Sequence, residues 1–412
     1  MLSAPSTPGI EDRKTMAASG KIIRSIPHQD SHMRRSREKL LIQSTVIWFS
    51  SAFLLFWLWD TWLLEGPHGP YRWVGMDFVP YWVGVREMLK GANPYTSEVT
   101  LKIQEIVYGG PAGVYDPMMF VYPAWSFLIV LPLTLLPLKW AVILYGSTLI
   151  VLLFLFLRHL SVTWTGTGYN LFLPVLLLGA LPFVIISATK AQLGYLSLMG
   201  LYLASRWWKE KPLLAAVALG FALIKPTVTV LPVFGLLFWA FLARGWRFLL
   251  GFMTWMLLLL LLSMVAAGFW LPDYLHMLSI KGGMPVLWSV QILAPPWNFL
   301  YVLYFLVLLG YGLRISLQEG ELYPWFSATV LVGMGLTPMR WIYDLFAGVL
   351  VPVPRPKDAR MRYSLGLVLL SPWSLVFIPE VIRGEFAVIF FPLLWSLIFL
   401  LESVFQSSRL TG

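Results

Sequence analysis

The chain alternates between a polar head and a long series of apolar runs broken by short basic or turn-rich segments. The first run, about Leu40 to Leu64, would cross roughly 30 Å of hydrocarbon as a helix rising about 1.5 Å per residue. Runs at about 139–158, 170–188, 191–208, 246–270, 297–315, 322–338, 340–354, 363–380 and 386–403 read the same way. Pro212 to Ala243 holds 32 residues, whereas two full spans need about 40. It reads as a shortened pair with Ile224-Lys225-Pro226 at its apex. The expected fold is therefore an all-α polytopic membrane protein of about twelve transmembrane helices, with both termini inside.

Charge assigns sides to the loops. Basic clusters at Arg206 to Lys211, at Arg244 and Arg247, and at Arg355 to Arg362 belong on the cytoplasmic face by the positive-inside tendency. Residues 1–38 are polar and read as a disordered basic cytoplasmic tail, with Arg34, Arg35, Arg37 and Lys39 at the membrane surface. They lack the apolar core of a signal peptide. Residues 39–404 form one transmembrane domain whose first external loop is 65–138, and 405–412 a second cytoplasmic tail. Within that loop Phe120 to Leu138 is apolar, but a crossing there would invert every later loop. It also carries Pro123, Pro132 and Pro137, so it reads as interfacial or re-entrant. An ordinary span that violates the charge tendency is the alternative.

Composition agrees with the pattern. The 412 residues are 58% hydrophobic and 12% charged, against about 25% charged in soluble domains. The net charge of +10 lies beside apolar segments, as contact with anionic lipid requires, so no nucleic-acid partner is expected. With no cysteine there are no disulfides, thiol nucleophiles or thiolate metal sites. Walker A and dinucleotide glycine loops, HExxH and DxD are all missing, and no metal or cofactor is called for.

Candidate chemistry concentrates outside. Asp77 stands in Gly75-Met76-Asp77-Phe78-Val79-Pro80-Tyr81-Trp82, among apolar and aromatic neighbours that suit a general base acting on a hydroxyl. Its plainer role is a helix N-cap. Gln192 directly follows a span, where an amide binds a sugar hydroxyl or phosphate oxygen, or simply links helices. Lys225, beside a proline at bilayer depth, is a cation suited to a lipid phosphate, or one that snorkels or pairs. Arg340, in Thr337-Pro338-Met339-Arg340-Trp341-Ile342-Tyr343-Asp344, is placed to fork a phosphate, or to pair with Asp344 at i,i+4. Asp273, His276 and Lys281 are accessible polar groups with no diagnostic spacing.

Four features in order resemble the polyprenol-phosphate-dependent mannosyltransferases of glycosyltransferase family 87, which have the C-class membrane fold. They are Asp77 to Trp82 with Gly91-Ala92-Asn93-Pro94-Tyr95; Phe120-Val121-Tyr122-Pro123 with Leu131-Pro132-Leu133; Gln192 after a span; and Ala222-Leu223-Ile224-Lys225-Pro226. The resemblance covers about residues 70–350. It implies transfer of a sugar, mannose or a related hexose or pentose, from a polyprenyl monophosphate to a hydroxyl on a lipid or glycan acceptor at the external face of the cell membrane. Asp77 matches the family's catalytic aspartate, and Tyr81, Trp82, Gln192, Lys225, Arg340 and Tyr343 become the substrate-binding set. Where the family often has Trp followed shortly by His, this chain has Trp341 followed by Tyr343 and Asp344. That departure bears on sugar specificity. The rival readings are a lipid or solute transporter or flippase, although no internal repeat is seen, and a non-catalytic membrane scaffold.

Overall fold

A computed structural model describes residues 26–113, 117–165, 172–282, 293–336 and 389–400. The first helix, α1 (Ile26–Thr61), is followed by a two-residue ribbon, β1 (Leu63–Leu64) paired antiparallel with β2 (Tyr71–Arg72). Next come α2 (Val79–Met88), α3 (Ser97–Tyr108), a 3₁₀ turn (Ala124–Ser126) and α4 (Phe127–Thr134). The bundle continues through α5 (Leu138–Thr165), α6 (Phe172–Lys190), α7 (Gly194–Trp207), α8 (Pro212–Ala222) and α9 (Pro226–Leu242). It closes with α10 (Trp246–Ala267), α11 (Leu271–Gly282), α12 (Trp297–Glu319), α13 (Tyr323–Leu336) and α14 (Ile389–Leu400).

Four helices among the described residues are long and apolar enough to cross a membrane: Arg37–Thr61 within α1, Leu138–Thr163 within α5, and all of α10 and α12. The chain is thus a membrane protein whose described parts are helical apart from the short β1–β2 ribbon. Shorter apolar helices lie where several other spans were expected, while those at 340–354 and 363–380 lie outside the described residues. α1 begins at Ile26, not near residue 40. Pro27 sits in its first turn, where a missing N–H is harmless, and the Arg, Glu and Lys residues that follow are good helix formers. Polarity therefore ended the apolar run without ending the helix, so the disordered tail expected through residue 38 is helical from residue 26. The rest of that tail lies outside the described residues.

The outer helices bury one side and leave an apolar side outward. On α1, Leu41, Val46, Phe49, Phe53 and Trp57 are exposed, whereas Ser51, Leu55 and Trp59 are buried. Leu55 fits over Gly146 of α5, where a Cβ would come within 2.7 Å of its methyl. Small residues also bring α7 against α8: a Cβ at Gly200 would strike the Ala218 carbonyl oxygen and lie 3.1 Å from the Ala222 nitrogen. Close backbone approach of this kind is the usual route to helix association in lipid. α13 is buried on every side from Trp325 to Gly335. The Trp325 indole nitrogen donates to the Gly235 carbonyl of α9 at 2.7 Å.

The segment 120–138 makes no crossing-length helix. α4 has eight residues, about 12 Å at 1.5 Å per residue, with Pro132 inside it. Its exit is captured by α2, since Arg86 Nε donates to the Thr134 carbonyl at 2.8 Å and Trp82 Nε1 to the Leu136 carbonyl at 3.1 Å. The Arg86 guanidinium also lies 3.7 Å over the Trp82 ring. These contacts, with α3 behind α2, turn the first loop into a small helical subdomain. Its charged clasp is Glu87, whose carboxylate accepts from Lys90 Nζ at 2.8 Å and from Lys102 Nζ at 2.9 Å. Those two ammonium groups hold the Glu87 carboxyl below its ordinary range.

Two outcomes follow for stability. Gly200→Val should destabilise the bundle by about 1–3 kcal/mol through overpacking, read as a lower Tm in detergent. Glu87→Gln should lower Tm at neutral pH. Because the folded-state pKa is depressed, the clasp's contribution is present above the ordinary glutamate value of about 4.3 and fades as pH falls below it. The Tm gap between the two proteins should therefore close in acid.

Candidate functional site

The site forms where the first loop meets one helix break, with a second break packed against the start of α7. α6 ends at Lys190, and the chain reverses through Ala191 and Gln192 into α7. Ala191 takes a left-handed φ of 55°, a conformation that costs an L-residue roughly 1–2 kcal/mol. The reversal is fixed by the Gln192 N–H, which donates to the Ser187 carbonyl at 2.9 Å, and by the Tyr145 hydroxyl of α5, which donates to the Gln192 carbonyl at 3.0 Å.

The loop subdomain docks on this break. The Gly75 N–H donates to the Thr189 carbonyl at 2.6 Å. Gly75 has φ +78°, and a Cβ there would lie 2.6 Å from a Val142 methyl, so both conformation and space require glycine. Two residues on, the Asp77 carboxylate accepts a hydrogen bond from Gln192 Nε2 through Oδ2. Both side chains are buried, at 7% and 3% exposure, across 115 positions of sequence. The N-cap position of α2 belongs to Phe78, one residue after Asp77.

Lys225 approaches the start of α7 from the second break. α8 stops at Ala222 and α9 starts at Pro226, leaving Lys225 at the N-cap of α9. Its N–H donates to Ser197 Oγ at 3.1 Å, and its side chain lies along Gly194, where a Cβ would meet Cδ at 3.2 Å and Nζ at 3.6 Å. Thr229 bridges the break, its hydroxyl donating to the Ala222 carbonyl at 2.6 Å and lying 3.0 Å from the Lys225 carbonyl. The ammonium is thus placed beside the start of α7, two residues from Gln192. A carboxylate, an amide and a cation are assembled at one end of the bundle.

The remaining candidates divide. Tyr81 is fully buried and stacked on Tyr122, ring centroids 3.9 Å apart. Burial pushes its hydroxyl well above the usual range, Tyr122 adds to that, and the Asp77 charge contributes in the same direction. Tyr81 therefore stays a neutral wall of the site next to the carboxylate. Trp82 is engaged with Arg86 and the Leu136 carbonyl and forms part of the frame. Asp273, on α11, accepts from Asn93 Nδ2 at 2.6 Å, and Asn93 Oδ1 in turn accepts the Tyr95 N–H at 3.0 Å. The Gly91 to Tyr95 motif is thus a joint between the loop and α11. His276 is exposed on the same helix. Arg340 and Tyr343, the Trp341 and Asp344 beside them, and the Lys281 side chain lie outside the described residues.

One residue was passed over in the sequence. Lys190, the last of α6, is 1% exposed, with Nζ 4.0 Å over the Trp73 ring. It sits between Thr189 and Gln192, both bonded to the turn that carries Asp77. A lysine ending an apolar run looks like an interfacial anchor, and only the docked loop encloses it.

Among the described residues no group of three or more His, Cys, Asp or Glu side chains is arranged to hold a metal ion. Comparison with family models, with curated proteins and with solved structures finds no match.

The Asp77–Gln192 contact should register as energetic coupling. In a double-mutant cycle of Asp77→Ala and Gln192→Leu, followed by unfolding in detergent, the coupling should reach about 0.5–3 kcal/mol. Strict additivity would leave the two side chains as neighbours without a shared hydrogen bond.

Proposed function

We propose that this chain is a membrane glycosyltransferase that moves a sugar from a polyprenyl monophosphate to an acceptor hydroxyl on the external side of the cell membrane. The sugar is mannose or a related hexose or pentose, and the acceptor a lipid or glycan. The observation that carries the reading is the buried Asp77–Gln192 hydrogen bond, with Lys225 lying along Gly194 two residues beyond Gln192. It rests on side-chain chemistry together with the ordered motifs that resemble family 87.

In the proposed reaction the Asp77 carboxylate takes the proton of the acceptor hydroxyl as that oxygen attacks the anomeric carbon. The bond from that carbon to the phosphate oxygen breaks on the opposite face, inverting the configuration and releasing polyprenyl phosphate. Gln192 fixes one carboxylate oxygen, so the base is oriented before substrate arrives. Lys225 receives the charge that grows on the departing phosphate, and Arg340 is assigned the same task from the far side of the sequence. Tyr81, kept protonated by burial, borders the carboxylate without competing for the proton.

The test is transfer of labelled mannose from polyprenyl-phosphate-mannose in membranes carrying each variant at equal folded abundance. Asp77→Asn retains size and the ability to accept the Gln192 hydrogen bond, and should lower the rate about 10²–10⁴-fold. Lys225→Met should raise KM for the lipid donor more than KM for the acceptor. Near-normal transfer by the folded Asn variant would return Asp77 to a structural role. A wild-type chain inactive with every lipid-linked sugar offered would favour a scaffold.

A further inference from the structure

A second feature lies at the opposite end of the bundle. Between α8 and α10 runs a groove of about 790 Å³, walled almost entirely by apolar side chains. On α10 its lining recurs as Arg247, Leu250, Gly251, Thr254, Trp255 and Leu258, at i, i+3, i+4, i+7, i+8 and i+11, which is a single helix face. On α8 the facing wall is Leu213, Leu214 and Val217. Leu213 and Leu250 are each about two-thirds exposed, at 66% and 65%, so the groove opens sideways from the bundle.

Charge is confined to one end. Lys211 immediately precedes α8 and Arg247 is the second residue of α10, and both line the groove mouth. Both are exposed, and neither has a carboxylate within 4.0 Å among the described residues. From Arg247 to Leu258 the helix rises about 16 Å, the depth of one leaflet of a roughly 30 Å hydrocarbon layer. The mouth is separated from Lys225 by the length of α8, eleven residues or about 16 Å.

We infer that this groove is a binding site for an anionic glycerophospholipid of the surrounding bilayer, whose phosphate lies between Lys211 and Arg247 and whose acyl chain runs along the α8–α10 furrow. Bulk lipid covers any apolar face, but two cations at one end of a leaflet-deep furrow select a negative head group with a chain attached. Gly251 supplies the furrow's floor, where a Cβ would already meet a Leu213 methyl at 3.0 Å. The site is separate from Asp77 and independent of the transfer reaction.

The experiment uses the full chain purified in detergent, titrated with phosphatidylglycerol or phosphatidylcholine and read by native mass spectrometry. The wild type should bind its first phosphatidylglycerol about thirtyfold more tightly than phosphatidylcholine, since each of the two basic residues contributes roughly 1 kcal/mol at a membrane surface. Lys211→Gln with Arg247→Gln should erase that preference, whereas Lys39→Gln with Arg314→Gln, which removes the same charge elsewhere, should keep it. Thr254→Trp fills the furrow with both cations in place and should weaken the first binding event for both lipids. All substituted positions are exposed, and each variant is first checked for monodispersity. A preference retained by the Lys211/Arg247 pair, or lost equally in the control pair, overturns the site. A Thr254→Trp protein that binds like the wild type overturns the furrow.

Discussion

Two hydrogen bonds from one turn carry the arrangement: the Gly75 N–H to Thr189 and the Asp77 carboxylate to Gln192. They seat the first loop on the break between α6 and α7, where both partners are buried. A buried hydrogen bond adds only about 0.5–1.5 kcal/mol net, but an unmet buried donor or carboxylate costs more. The constraint is therefore exclusion of other dockings. Gly75 is what lets the turn approach this closely, because any larger residue meets Val142. Around it the loop closes through Arg86 and Trp82 on the end of α4 and through Asn93 on Asp273.

Helix breaks inside an apolar bundle leave backbone groups that lipid cannot satisfy. Both breaks at this end are repaired locally. Ser187 and Tyr145 serve the break at Ala191, and Ser197 and Thr229 serve the break at Lys225. With the backbone satisfied, the side chains of Gln192 and Lys225 need not cap their own helices. The Gln192 amide turns instead to Asp77, and the Lys225 side chain lies along Gly194.

The two ends of the bundle divide the chemistry. Near the loop, acidic and amide groups are enclosed among aromatic rings, with Phe78 stacked on Tyr145 and Tyr81 on Tyr122. At the other end cations stand on the surface, Lys211 and Arg247 beside a furrow and Arg206 donating to the Tyr323 hydroxyl at 3.3 Å. Enclosed groups can be oriented for a reaction.

Hydropathy alone determined that the chain is helical and membrane-embedded, because burial in lipid needs only a sufficient local run of apolar residues. Proline spacing and length marked the two places where that rule fails, the segment 120–138 and the Lys225 apex, again from local arithmetic. The helical start at Ile26 was missed, since polarity marks the edge of the hydrocarbon and says nothing about where a helix must end. Asp77, Gln192 and Lys225 were legible as separate polar residues in apolar settings, each with a plain structural alternative. The pairing of Asp77 with Gln192 and the placing of Lys225 along Gly194 were decided by the tertiary structure, as were the framing roles of Trp82 and Asn93 and the enclosure of Lys190. A hydrogen bond across 115 residues depends on how helices pack and which glycine permits the approach, and no local pattern encodes that distance.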